Sequence, residues 1–138
     1  MKKNIILPLY LLVFQVLFFS CSEKERVVDT KGTTWRVEKL KEEGDLSWQK
    51  APGKYILTFV SESLYTLKLD VNICEGEYRV FSGGNIYLSA SGCTKVCCDS
   101  HFASLFRDLL PSMKEYYVKD SKLYLEGEGQ IVLGKGEL

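Results

Sequence analysis

From Thr34 onward, polar and apolar residues alternate in short runs. In Thr34–Leu40, Trp35 and Val37 share one face and Leu40 is expected to join them, the period of a strand. Lys41 to Gly53 is polar and holds Gly44, Pro52 and Gly53, the composition of a loop. Trp48 lies in that loop and is expected to cover an end of the core, rather than stand exposed for binding, because large aromatics supply burial. The runs Tyr55–Val60 and Tyr65–Leu69 flank Ser61-Glu62-Ser63 and predict a hairpin. Tyr78 and Val80 precede Ser82-Gly83-Gly84, and Ile86, Leu88 and Ala90 follow it. A three-residue turn there pairs Val80 with Ile86 and Tyr78 with Leu88, so both apolar faces coincide. Phe102, Leu105, Phe106 and Leu109 recur at helical spacing, with Asp99 or Ser100 as N-cap and Pro111 as stop. They predict one helix over residues 99–110. Tyr116 and Val118, Leu123 and Leu125, and Ile131 and Leu133 mark three more strands, separated by Asp120-Ser121 and by Gly127-Glu128-Gly129. The expected class is α+β: a small curled, mostly antiparallel β-sheet or partly open barrel of about eight strands with one α-helix.

The N-terminus follows a different pattern. Met1-Lys2-Lys3-Asn4 is a short positive segment, and Ile5–Phe19 is almost wholly apolar. Fifteen residues interrupted by Pro8 and Gln15 fall short of the ~20 that span a bilayer, and fit the apolar region of a secretory signal. Leu17-Phe18-Phe19-Ser20-Cys21 resembles the bacterial lipobox, at which the signal is cleaved and Cys21 acylated. The expected organisation is a lipoprotein signal peptide at 1–20, a tether at 21–30 and one domain at 31–138. Charged Ser22-Glu23-Lys24-Glu25-Arg26 reads as the solvated tether. Ser22 after the cysteine resembles outer-membrane sorting in proteobacterial lipoproteins, and the acidic residues beyond it resemble the surface-export signals of Bacteroidetes lipoproteins. The expected location is the cell envelope, as an outer-membrane lipoprotein facing the periplasm or exposed at the surface. The membrane is then a partner through the lipid on Cys21.

Charge changes the picture only by exclusion. The chain carries 18 basic and 18 acidic side chains. Losing Lys2 and Lys3 with the signal leaves a mature charge of −2. Such a balance argues against bulk nucleic-acid binding. An aromatic fraction of 12% and a hydrophobic fraction of 46% exclude a disordered tail. A single histidine, His101, excludes most His-rich metal sites.

Asn72, Gly76 and Tyr78 are followed by a short strand, then by Thr94 and Cys98, then by the Phe102–Leu110 helix. Tyr116-Tyr117-Val118 and Leu123-Tyr124-Leu125 close the series, and Trp35 and Leu40 open it. The ordered set, over Lys31–Leu133, resembles the META domain family, the HslJ-like domains of bacterial envelope proteins. The resemblance implies a small curled β-domain with a helix, associated with envelope stress or antibiotic tolerance, and implies no enzymatic activity. The family often has a cysteine immediately before the asparagine. Here that residue is Val71, and Cys93 and Cys97 are additional, so no family disulfide is carried over. Asn72, Gly76 and Tyr78 themselves read as a turn former, a permissive glycine and a packed tyrosine.

Cys74, Cys93, Cys97 and Cys98 remain after processing, an even number in an exported chain, and read as two disulfides. A vicinal Cys97–Cys98 bond is discounted as strained. Two pairings are left: Cys74–Cys98 with Cys93–Cys97, which is preferred, or Cys74–Cys97 with Cys93–Cys98. The hairpin register brings Cys74 near Gly92, within reach of the cluster. A competing reading sets the cysteines and His101 as ligands of zinc or copper(I), or as a redox centre. Another makes Cys97 or Cys98 a nucleophile with His101 as base, but no third orienting group accompanies them. Tyr116, Tyr117 and Tyr124 are expected in core and edge packing rather than on a ligand surface. The function expected is a non-enzymatic envelope lipoprotein with a binding or stress-protection role and no cofactor. The alternative is a thiol-based metal-binding or redox protein.

Overall fold

The structure is a computed structural model and describes residues 29–137. The predicted signal peptide, Cys21 and the tether up to residue 28 lie outside the described residues. The strands are β1 (Thr34–Glu42), β2 (Gln49–Lys50), β3 (Ile56–Phe59), β4 (Leu64–Lys68), β5 (Ile73–Phe81), β6 (Asn85–Leu88), β7 (Gly92–Cys93), β8 (Met113–Lys119), β9 (Lys122–Gly127) and β10 (Gly129–Lys135), with helix α1 at His101–Leu109. Eight strands run antiparallel in the order β1-β3-β4-β5-β6-β8-β9-β10. The pairing of β10 with β1 closes them into a barrel. The curled sheet expected from the pattern is therefore fully closed. Short β2 extends the pairing of β1 beyond β3, and β7 extends that of β5 beyond β6.

Closure places the apolar face of every strand inside. Val37, Leu40, Leu57, Leu67, Leu88, Leu123, Leu125, Ile131 and Leu133 are almost completely buried. An eight-stranded barrel has an interior just wide enough for side chains to fill. Leu40 could not face inward beside Trp35 and Val37 on a regular strand. A bulge between Val37 and Lys39 shifts the phase by one residue and turns it in. The β5–β6 register is the predicted one, Tyr78 opposite Leu88 and Val80 opposite Ile86. Gly83 and Gly84 in the turn take φ of 84° and 81°. Val80 nonetheless sits at the barrel rim and is 36% exposed.

The barrel has two distinct ends. Helix α1 lies across one. Ser100 is its N-cap, with Oγ accepting from the Ala103 amide at 3.2 Å. Phe102, Ala103, Phe106 and Leu109 face the core, and the Phe102 ring packs on Tyr55 at 5.1 Å. Leu105, expected in the same stripe, is only half-buried. Pro111 sits in a 3-10 turn, Leu110–Ser112, that leads directly into β8. The other end carries the turns at 61–63, 82–84 and 120–121. Residues 29–33 cross this turn end: the Gly32 amide donates to the Phe59 carbonyl at 2.7 Å, and Thr30 Oγ1 donates to Tyr78 Oη at 2.9 Å.

Three buried tyrosines tie the core to the rims through their hydroxyls. Tyr78 Oη donates to the Ser61 carbonyl at 2.6 Å, Tyr65 Oη donates to the Ser89 carbonyl at 2.7 Å, and Tyr55 Oη lies 3.1 Å from Ser100 Oγ. Each ring supplies apolar burial while its hydroxyl keeps a partner. Tyr65 needs Gly76 opposite it on β5, because a Cβ there would lie 2.5 Å from its ring. The glycine expected to be permissive is required for close packing instead.

Candidate functional site

The predicted cysteines meet where β5, β7 and the start of α1 converge, and their pairing differs from expectation. Cys74 is bonded to Cys93, and the sulfurs of the neighbouring Cys97 and Cys98 lie against each other. The Cys74–Cys93 bond replaces the preferred pairs Cys74–Cys98 and Cys93–Cys97, and equally the alternative Cys74–Cys97 with Cys93–Cys98. The cause is a slip of one residue. Extending the β5–β6 register would set Cys74 against Gly92, but between Leu88 and Gly92 the chain gains one residue. In β7, Gly92 faces Glu75 and Cys93 faces Cys74. Cys74 is wholly buried, Cys93 half-buried, and Cys97 and Cys98 exposed. His101 is exposed at the first residue of α1, and among the described residues no hydrogen bond joins it to a sulfur. No group of three or more metal-ligating side chains is assembled among the described residues.

Around these cysteines Asn72 acts as a hub. Its Nδ2 donates to the Val96 carbonyl at 2.7 Å and to Asp99 Oδ2 at 2.6 Å. Its Oδ1 accepts from Thr94 Oγ1 at 2.7 Å and from the Val96 amide at 2.9 Å. Asp99, weighed as an N-cap, instead accepts from the backbone amides of Val71 and Asn72. Burial would raise its pKa, but these hydrogen bonds outweigh it and hold the carboxyl below its ordinary value. Asp70 is likewise lowered, by bonds from the Ser100 side chain and backbone. The joint is thus a closed polar network with every side-chain hydrogen-bonding group of Asn72 used. It holds the 94–99 loop in place and has the character of a staple.

A second cluster lies on the outer wall over β8, β9, β10 and β1. No pattern along the sequence assembles it, because its members come from four strands and a loop. Tyr117 and Tyr124 are cross-strand partners, and their rings stack at 4.8 Å and 4°. The next position across is Val132, opposite Tyr124 on β10, and beyond it Lys39 on β1. Val132 points outward, as Tyr124 does, yet is only 3% exposed. Trp48 is half-buried beside it, its ring 4.5 Å from Lys39 Nζ and 5.1 Å from Lys41 Nζ. Each such cation–π contact contributes about 0.5–1 kcal/mol at a partly exposed site. The expectation that Trp48 covers an end of the core is therefore corrected: its loop folds back along β1 and sets the ring on the outer wall. Tyr116 is in the core as expected, whereas Tyr117 and Tyr124 line this outer surface.

Between the Trp48 and tyrosine rings runs a groove of about 260 Å³. Its polar groups are held in place. Tyr117 Oη donates to Glu126 Oε1 at 2.9 Å, and Lys122 Nζ donates to Glu38 Oε2 at 2.7 Å. Glu38 is the bulged residue of β1. It lies over Gly134, where a Cβ would come within 2.6 Å of its carboxylate. Burial, then the hydrogen bond to Glu126 and the charge of Glu126, push the Tyr117 hydroxyl up to about 12, so it remains a donor at neutral pH. The Glu38 carboxylate likewise raises Lys122. The groove so offers ring faces from Trp48 and Tyr124, the ammonium of Lys39, the carboxylate of Glu126 and the amide of Gln130. Ring faces beside fixed hydrogen-bonding groups are the kind of lining that ligand sites commonly present.

No protein-family profile matches the sequence, and no curated protein matches it. Two solved structures are similar in fold. One is a DUF4847 family protein from Bacteroides vulgatus ATCC 8482, with a TM-score of 0.58 and 13% identity over 79% of this chain and 96% of that one. The other is a protein from Burkholderia xenovorans solved by NMR, with a TM-score of 0.64 and 14% identity over 85% of this chain and 97% of that one. At these identities the likeness is one of fold alone.

Proposed function

We propose that this chain is a non-enzymatic envelope lipoprotein with a META/HslJ-like domain, anchored through Cys21, that binds a small polar ligand in the groove beside Trp48. The outer-wall groove carries this reading. The barrel interior is filled by side chains, and the groove brings aromatic faces and fixed polar groups together outside it. Its chemistry suits a sugar ring, with C–H faces for Tyr124 and Trp48 and hydroxyls for Glu126, Gln130 and Lys39. The Cys74–Cys93 bond accords with export to an oxidising compartment. The thiol-based alternative retains one point of support, the exposed Cys97–Cys98 pair, and a count of reducible thiols in the isolated protein tests it. The main reading is tested by titrating the protein with saccharide fragments of the bacterial envelope and following tryptophan fluorescence. Trp35 is buried and supplies a constant background, so a saturable change should vanish in Trp48→Ala and weaken in Tyr124→Ala. No response to any fragment, or an unchanged response in both variants, would refute the groove as the ligand site.

A further inference from the structure

We propose that the turn end of the barrel rests on the phospholipid surface, with Val60, Leu64, Val80 and Phe81 as its apolar contacts. The inference takes the anchor on Cys21 from the reading above; the contact surface itself comes from the fold. Residues 29–32 lie against the β3–β4 turn through Gly32–Phe59, Thr30–Tyr78 and the Lys31–Glu62 ion pair at 3.7 Å. The described chain therefore begins at the turn end.

Seven residues, Ser22 to Val28, separate Asp29 from Cys21. Whatever their conformation, they span at most about 28 Å. The nine residues of β1 set the barrel length. At the usual rise and tilt this is roughly 20–25 Å. The turn end can therefore meet the bilayer with the tether slack, whereas the helix end reaches it only when the tether runs nearly its full length alongside the barrel.

Large apolar side chains are exposed at that turn end. Val60 is 51%, Leu64 48% and Phe81 53% exposed, and Val80 is at the rim. The Val60 amide donates to the Leu64 carbonyl at 2.9 Å, and the Tyr78 amide donates to the Ser63 carbonyl at 2.8 Å, which lays the 60–64 turn along β5 just before Val80 and Phe81. Arg79 and Tyr87, facing outward beside Phe81, can keep their polar tips in the headgroup layer. Val71, Ile73 and Val96 are equally exposed at the helix end, but they lie away from the point where the tether enters the domain.

The test uses the full chain, processed in a bacterial host and reconstituted into vesicles of phosphatidylethanolamine and phosphatidylglycerol. A benzophenone-bearing phenylalanine replaces either Phe81 or Ile73, both over half exposed, so folding is undisturbed in each case. After irradiation, mass spectrometry should find at least tenfold more lipid adduct at position 81 than at 73. Equal yields, or more adduct at 73, would overturn the proposal. The N-terminal peptide in the same spectra reports acylation of Cys21 separately. An acylated chain without adduct at 81 refutes the lipid contact alone. A non-acylated chain that still forms the adduct refutes the anchor and leaves the contact standing.

Discussion

Removing the Cys74–Cys93 bond should cost far more stability than replacing Cys97 and Cys98. That bond joins residues 19 apart and closes a loop of that size in the unfolded chain. In the chain-entropy model such a loop is worth about 3 kcal/mol. With an unfolding entropy of ~2 cal/mol/K per residue in a domain of this size, that corresponds to a loss of about 10–15 °C in Tm. A bond between adjacent Cys97 and Cys98 would close no loop, so replacing these two residues should shift Tm by less than about 3 °C. The assay is thermal unfolding by circular dichroism of Cys74→Ala/Cys93→Ala and of Cys97→Ser/Cys98→Ser, with the reduced wild type alongside. The Cys74 sulfur is wholly buried, so the alanine pair adds a packing loss that reduction alone does not. Reduction of the wild type should therefore give the smaller of the two large shifts. Equal shifts for the two pairs, or an unchanged Tm on reduction, would refute the argument. Peptide mapping without reductant should link the Cys74 peptide to that of Cys93. A link to Cys98 would restore the pairing preferred from the sequence.

Asn72→Ala should destabilise the domain by about 2–4 kcal/mol, since four side-chain hydrogen bonds to the 94–99 loop are lost together. A denaturant midpoint close to wild type would show that the hub is dispensable. Asp120 and Ser121 both take left-handed conformations, φ 51° and 59°, in a two-residue hairpin turn. Asp120→Asn with Ser121→Gly should therefore raise stability by about 1 kcal/mol in the same measurement. Tyr117, raised to about 12 in the fold, favours its neutral form there. Its contribution should be complete below pH 10 and fade as pH rises toward 12, which ultraviolet difference titration can follow. Glu126→Gln removes the carboxylate responsible for much of the shift and should bring that titration down toward 10.

The period-two runs were enough to give the eight barrel strands, though not the short β2 and β7, because alternation assigns one face of each to the core whatever its partners. The β5–β6 register followed from turn length alone, and α1 from its apolar stripe and Ser100. Asn72, Gly76 and Tyr78 were legible as structural residues. Other features depended on contacts between distant segments. Barrel closure rests on β1 meeting β10, at opposite ends of the domain, a pairing no local pattern encodes. The Cys74–Cys93 bond turned on one extra residue between Leu88 and Gly92, and a one-residue slip exchanges every partner along a ladder. Trp48 and the two tyrosines had no sequence relation to suggest a common groove, and only strand order placed β1 beside β10, β9 and β8. The sequence by itself determined which side chains face inward, since that depends on hydrophobic spacing along one strand. The tertiary structure decided which outward-facing side chains meet, since that depends on strand order and register around the barrel.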